Sequence, residues 1–240
     1  MSRSIVPSFF TVGNMFCGFF SVTSAMNGNY ELAAWLIFAA AFLDTMDGKV
    51  ARMTDSASQF GVEYDSLADV ISFGFAPSFL IYTIYFHELN TVGLLIAFVP
   101  LLFGSVRLAR FNSQLEGFDK THFSGLPIPV AALAITSAII FSLHYFDNPI
   151  KYPKVLLVII FFVSVLMVST VRYEIMPNLT LKGSKANKVK LALIIIGIFI
   201  VIYEPQKLVF PVIMLYIIAG VFRWFYYLVT SEDSKSESKN

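Results

Sequence analysis

Residues 4 to 30 contain no aspartate, glutamate, lysine or arginine, and neither do residues 121 to 146. A helix that crosses the hydrocarbon core of a bilayer takes about 20 mostly apolar residues, so runs this long restrict the chain to folds whose solvent is largely lipid. Composition agrees, with 57% hydrophobic and 14% charged residues, where soluble domains carry roughly 25% charged. The first apolar run lacks a basic leader and a small-residue cleavage site, so it is expected to stay in the protein rather than act as a cleaved signal. Cys17, the single cysteine, excludes an internal disulfide and a thiolate metal cluster and is read as apolar helix filler.

Hydropathy and turn residues predict an all-α integral membrane protein, a polytopic helical bundle of about eight transmembrane helices. The spans fall near 5–26, 30–53, 60–86, 91–112, 126–146, 153–172, 187–203 and 207–229. The short connections "NGN" at 27–29, "HELN" at 87–90 and "DNPIKYP" at 147–153 are expected to be tight turns between antiparallel neighbours. Residues 1–230 form one transmembrane domain, and the polar "SEDSKSESKN" of 231–240 is expected to be a disordered tail. With the N-terminus inside, all of the 17 lysines and arginines except Lys151, Lys154 and Lys207 fall on one side. The positive-inside rule assigns that side to the cytoplasm, with both termini there.

Against this background one stretch stands out, "LDTMDGKVARMTDSASQFGVEYDSLAD" at 43–69, with five aspartates. Asp44 lies 13 residues after Glu31, about 20 Å along a hydrocarbon core about 30 Å thick. An ionised carboxylate at that depth has to face water or a cation. At 100° per residue Asp44 and Asp47 lie about 60° apart around the second helix, and Asp65 and Asp69 about 40° apart around the third. An antiparallel pair of helices therefore brings both pairs to one spot. Asp55 reads as a solvated turn residue. Four carboxylates together repel unless positive charge sits among them, and such an all-oxygen site suits Mg2+ or Mn2+, the ions of two-metal phosphoryl chemistry. Gly48 and Gly61 point to a close approach by another group, and Arg52 offers a planar fork of donors suited to a phosphate.

Asp44, Asp47-Gly48, Ala51-Arg52, Gly61, Asp65 and Asp69 match D-x-x-D-G-x-x-A-R-x8-G-x3-D-x3-D, and on this motif the chain resembles the CDP-alcohol phosphatidyltransferases. The resemblance implies a six-helix catalytic core, a homodimer, and displacement of CMP from a CDP-linked lipid by an alcohol. By position Asp44, Asp47, Asp65 and Asp69 would hold a pair of divalent ions, Mg2+ or Mn2+, and Asp69 would be the general base. Gly48, Arg52, Ser58 and Gly61 would line the nucleotide and phosphate site, with further nucleotide contacts from Thr11 and Asn14. An alcohol is a weak nucleophile, so a carboxylate within reach must accept its proton.

Three further stretches, "NMFCGFFSV" at 14–22, "SFGFAPS" at 72–78 and "RLARFN" at 107–112 followed by "FSGLPIPVAA" at 123–132, are similar to the serine-accepting branch of that family. CDP-diacylglycerol and L-serine are then the expected substrates, at the membrane and with no nucleic-acid partner. Arg107 and Arg110, three apart on one helix face, could pair with the serine carboxylate or a lipid phosphate, or anchor to headgroups. Another acceptor, such as a glycerol phosphate or an inositol phosphate, would leave the chemistry unchanged. A divalent-cation transporter is the reading from a different class, but no related halves are visible.

Overall fold

The computed structural model describes residues 8–54, 58–115, 125–146, 153–171, 173 and 203–237. Among them every element is helical: α1 (Phe9–Met26), α2 (Tyr30–Thr54), α3 (Gln59–Asp69), α4 (Ala76–Ile81), α5 (Asn90–Leu115), α6 (Ile128–Phe146), α7 (Pro153–Val168) and α8 (Pro205–Glu237). Four described stretches are long and apolar enough to cross a membrane: Phe9–Met26, Gln59–Ser113, Ile128–Phe146 and Pro205–Tyr227. α7 is apolar but shorter, at 16 residues, and α2 interrupts its apolar length with acids. The pass expected at 187–203 lies outside the described residues. α8 runs on to Glu237, into the stretch expected to be a disordered tail.

α1 shows why this is a lipid-solvated fold. Its buried residues are Thr11, Asn14, Gly18, Ser21, Ser24 and Ala25, small or polar groups at steps of three and four. Its phenylalanines face outward: Phe9, Phe16 and Phe19 are 84%, 61% and 62% exposed. Burial is the reverse of a soluble amphipathic helix, because lipid solvates phenylalanine while small residues let helices approach closely. Opposite this stripe α2 presents Ala33, Ala34, Ile37 and Ala40, all fully buried, and the Ser21 hydroxyl donates to the Ala33 carbonyl at 2.8 Å. Gly28, at φ 76°, provides the left-handed turn that folds α2 back on α1.

The third pass, expected as one regular span over 60–86, is irregular instead. After α3 the chain widens into π-helical turns over Val70–Phe75, tightens into α4, and widens again over Tyr82–Phe86 before a 3-10 turn at His87–Leu89. Pro77 accounts for the first widening. A proline ring in a regular α-helix collides with the carbonyl four residues back, and here the neighbouring Ala76 N–H reaches back five residues, to the Ile71 carbonyl. Asn90, at φ 50°, then reverses the chain into α5. The two strokes pack antiparallel: Gly93 abuts the Phe86 carbonyl, the Leu101 N–H donates to Ser78 Oγ at 3.1 Å, and Asn112 meets Ser66. Residues 125–126 are tied to the far end of α7 by Gly125 N–H to the Val171 carbonyl and Leu126 N–H to the Leu166 carbonyl, both 2.9 Å.

Candidate active site

α2 and α3 bring three of the four aspartates to one place. Asp44, Asp65 and Asp69 each offer a carboxylate oxygen, and these oxygens all lie within 4.8 Å of one another. Asp69 is 8% exposed, while Asp44 and Asp65 are half-buried. Two unit charges about 4 Å apart repel by about 4 kcal/mol at an effective dielectric of 20, so the trio calls for positive charge between its members. The donor set fits a divalent cation: it is all oxygen, and Asp65 Oδ1 is buried with no hydrogen-bond partner. Asp47, expected in the same group, is turned to α1, where its Oδ2 accepts from the Thr11 hydroxyl. It remains within electrostatic reach of Asp65.

α1 closes the site from the third side. Asn14, fully buried, donates from Nδ2 to Asp69 Oδ1 at 3.2 Å, and its own Oδ1 is buried without a partner. Asn14 is itself held, because the Ser72 hydroxyl donates to its backbone carbonyl at 2.8 Å. Ser72 lies on the first π-helical turn, and that turn rests on Gly18 so closely that a Cβ there would come within 2.8 Å of Ser72 Cα. Thr11 and Asn14, expected to touch nucleotide, thus orient two of the acids.

The remaining expected residues divide. Ser58 caps α3: its Oγ accepts from the Gly61 N–H at 3.0 Å, and a Cβ on Gly61 would sit 3.2 Å from that oxygen. The glycine therefore admits the cap, which satisfies one of the free N–H groups of the first turn of α3. Gly48 is exposed on α2 one turn beyond Asp44. Arg52 lies in the last turns of α2, and its side chain falls outside the described residues. Arg107 is 9% exposed, is attracted by Asp69, and has a buried Nε with no partner. Arg110 turns to α7 and donates from Nη1 to the Val168 carbonyl at 3.0 Å, where a cation satisfies the end of a helix. Sharing a face of α5 has not given the two arginines one task.

A sequence profile of the CDP-alcohol phosphatidyltransferases matches residues 4–159, a stretch that contains all four acids, α1 and both arginines of α5. The chain belongs to the CDP-alcohol phosphatidyltransferase family. It is 35% identical over 234 residues to the CDP-diacylglycerol--serine O-phosphatidyltransferase of Helicobacter pylori, covering 98% of this chain and 97% of the relative. The enzyme of that name from Bacillus subtilis is 37% identical over 145 residues, 60% of this chain and 78% of the relative. The archaetidylserine synthase of Methanothermobacter thermautotrophicus is 37% identical over 170 residues, 70% and 69% respectively. As a CDP-alcohol phosphatidyltransferase the protein is an enzyme, and the carboxylates, neutral donors and buried guanidinium described above are the groups available to its chemistry.

Residue patterning alone missed the network behind the acids. Ser66 is an unspecified position of the acidic motif, and Gly18, Ser72 and Asn112 fall in the stretches similar to the serine-accepting branch, but none carries a charge that marks its role. The available signal was the polar and small stripe of α1 at helical spacing, improbable in an apolar span unless it faces other helices.

Proposed function

We propose that the protein transfers the phosphatidyl group of CDP-diacylglycerol to the hydroxyl of L-serine and releases CMP. The observation that carries this reading is the meeting of Asp44, Asp65 and Asp69 at one point, with Asp69 oriented by Asn14, inside a chain built for lipid. The serine hydroxyl attacks the phosphorus that bears diacylglycerol. The bond from that phosphorus to the bridging oxygen breaks, CMP leaves with the electron pair, and the hydroxyl proton passes to Asp69. Asp44, Asp65 and Asp69, joined by Asp47, would hold Mg2+ or Mn2+, which when bound neutralises the diphosphate and the departing CMP.

Arg107 is the residue here assigned to the serine carboxylate. Its planar donors match a carboxylate, its Nε lacks a partner, and it faces the acid proposed to activate the hydroxyl. The names of the relatives support serine as acceptor. In this reading the chain crosses the membrane eight times, works as a homodimer, and keeps its acids and both termini on the cytoplasmic side, where its basic residues concentrate. Gly48, Arg52, Ser58 and Gly61 line the nucleotide side.

The test is an acceptor panel. Purified protein is given CDP-diacylglycerol, Mn2+ or Mg2+, and L-serine, glycerol 3-phosphate or inositol phosphate in turn. CMP release with serine alone is expected; release with a phosphorylated acceptor instead would move the protein to another branch of its family.

A further inference from the structure

The seam between the third pass and α5 changes character along its length. Toward the turn at Asn90 it is sealed by glycine and backbone, with Gly93 against the Phe86 carbonyl and Gly74 against Leu101. Toward the acids it becomes polar. Asn112 Nδ2 donates to Ser66 Oγ at 3.0 Å and to Glu63 Oε2 at 3.3 Å, and Ser66 Oγ lies 3.3 Å from Asn112 Oδ1. Ser66 is three residues from Asp69 along α3, about 4.5 Å of rise, and Asn112 is five residues from Arg107 along α5, about 7.5 Å. The same two helices therefore carry a buried floor, Asp69 and Arg107, and a half-buried rim, Ser66 and Asn112, with Glu63 exposed beyond it.

Joining two helices needs only one uncharged pair, and Ser66 with Asn112 supplies it. Glu63 adds a charge of the sign opposite to the guanidinium on the floor. A guanidinium at the base of the seam and a carboxylate at its mouth offer opposite partners to the two ends of a zwitterion, its carboxylate inward on Arg107 and its ammonium outward. An ammonium carries three donors and no acceptor, so it seeks oxygens, and a hydroxyl, an amide oxygen and a carboxylate are what this rim presents.

We propose that Ser66 and Asn112, backed by Glu63, recognise the ammonium group of an amino-acid acceptor whose carboxylate is held by Arg107. The inference rests on the serine reading and deepens it, by placing acceptor specificity in the α3–α5 seam, on Asn112 and on positions that the family's signature of acids leaves open. The three groups on the α-carbon of serine diverge from one tetrahedral centre, and the seam offers each a separate partner: Asp69 for the hydroxyl, Arg107 for the carboxylate, the rim for the ammonium.

Two acceptor analogues separate these contacts. 3-Hydroxypropionate keeps the hydroxyl and carboxylate but lacks the ammonium; ethanolamine keeps the hydroxyl and ammonium but lacks the carboxylate. With the full-length protein, kcat/KM for CMP release is measured for each, and inhibition constants against serine where turnover is slow. Asn112→Leu and Ser66→Ala are expected to lower kcat/KM for serine about 10- to 100-fold, the effect of removing a hydrogen bond to a charged group, while leaving 3-hydroxypropionate unaffected. Discrimination between those two collapses, and discrimination against ethanolamine persists. Arg107→Gln is expected to give the opposite pattern. Should Asn112→Leu not fold, Ser66→Ala and Glu63→Gln make the same comparison. Equal losses for serine and 3-hydroxypropionate, or no change in either, would reduce the network to a helix clamp and overturn the inference alone. Failure of the wild-type protein to use serine would overturn the serine reading and this inference with it.

Discussion

Gly18→Ala tests whether Asp69 is held in place by the packing of α1 on the π-helical turn. The new methyl carbon would lie 2.8 Å from Ser72 Cα, where ordinary contact begins at 3.4 Å, so the two backbones must part by about 0.6 Å. Backbone cannot swing aside as a side-chain tip can. Overpacking of this kind costs about 1–3 kcal/mol, and alanine returns about 1 kcal/mol through its helix propensity, so the net loss of stability is about 0–2 kcal/mol and the protein stays folded. The chemistry suffers more. The same displacement stretches the Ser72 bond to the Asn14 carbonyl, now 2.8 Å, and with it the Asn14 bond to Asp69, now 3.2 Å. A reacting group misplaced by about 1 Å can cost 100-fold, so CMP release is expected to fall roughly 30- to 100-fold at saturating substrates. Gly13→Ala is the control: its methyl meets only the end of the Leu43 side chain, at 3.1 Å, and activity and stability should stay close to wild type. CMP release and thermal unfolding are measured on both variants in one detergent. A Gly18→Ala protein with wild-type turnover would refute the idea that this contact positions Asp69.

Asp69→Asn is expected to abolish CMP release while the protein still binds the CDP-lipid; retained turnover would remove Asp69 from the role of base. Arg107→Ala should raise the KM for serine, whereas Arg110→Ala should lower thermal stability by about 1–3 kcal/mol through the orphaned Val168 carbonyl with little change in that KM. Thr11→Val keeps shape but deletes the donor to Asp47, and the affinity for Mn2+, read by its paramagnetic resonance spectrum, should fall about 10- to 100-fold as for other groups that orient metal ligands. Chelation of divalent ions should lower the unfolding temperature, since a cation at 100 times its Kd stabilises by about 2.7 kcal/mol, and Mn2+ or Mg2+ should restore it.

What could be read beforehand followed from strong physical signals. Long uncharged runs pointed to the helical, lipid-solvated class, and α1 ends at Met26 before the expected turn at 27–29, because lipid length and helix termination are local rules; the turn expected at 147–153 lies outside the described residues but for Pro153. The acids were legible because a carboxylate at that depth has few innocent explanations. The irregular third pass was less so: Pro77 announces a disturbance, but the π-helical turn that results also packs its Ser72 against Gly18 of α1, a contact between helices that no local rule reveals. The division of labour between Arg107 and Arg110 was likewise invisible, because it is decided by which neighbour lies across from each, Asp69 in one case and the end of α7 in the other.

A common logic joins the acids to their uncharged neighbours. If Asp44, Asp47, Asp65 and Asp69 served only to tie helices together, lysine or arginine across the interface would neutralise them best in an apolar bundle. The partners found on α1 are instead a threonine and an asparagine, which fix the direction of a carboxylate without cancelling its charge. A close side-chain ion pair among the described residues, Lys207 with Glu204 at 2.8 Å, joins residues three apart where α8 begins. Near the acids stands Arg107, one buried guanidinium against several carboxylates. Among the described residues negative charge thus remains after these contacts have been made, and it is held in a fixed geometry. A structural tie would waste that charge, and a site that must receive cations together with a diphosphate depends on it.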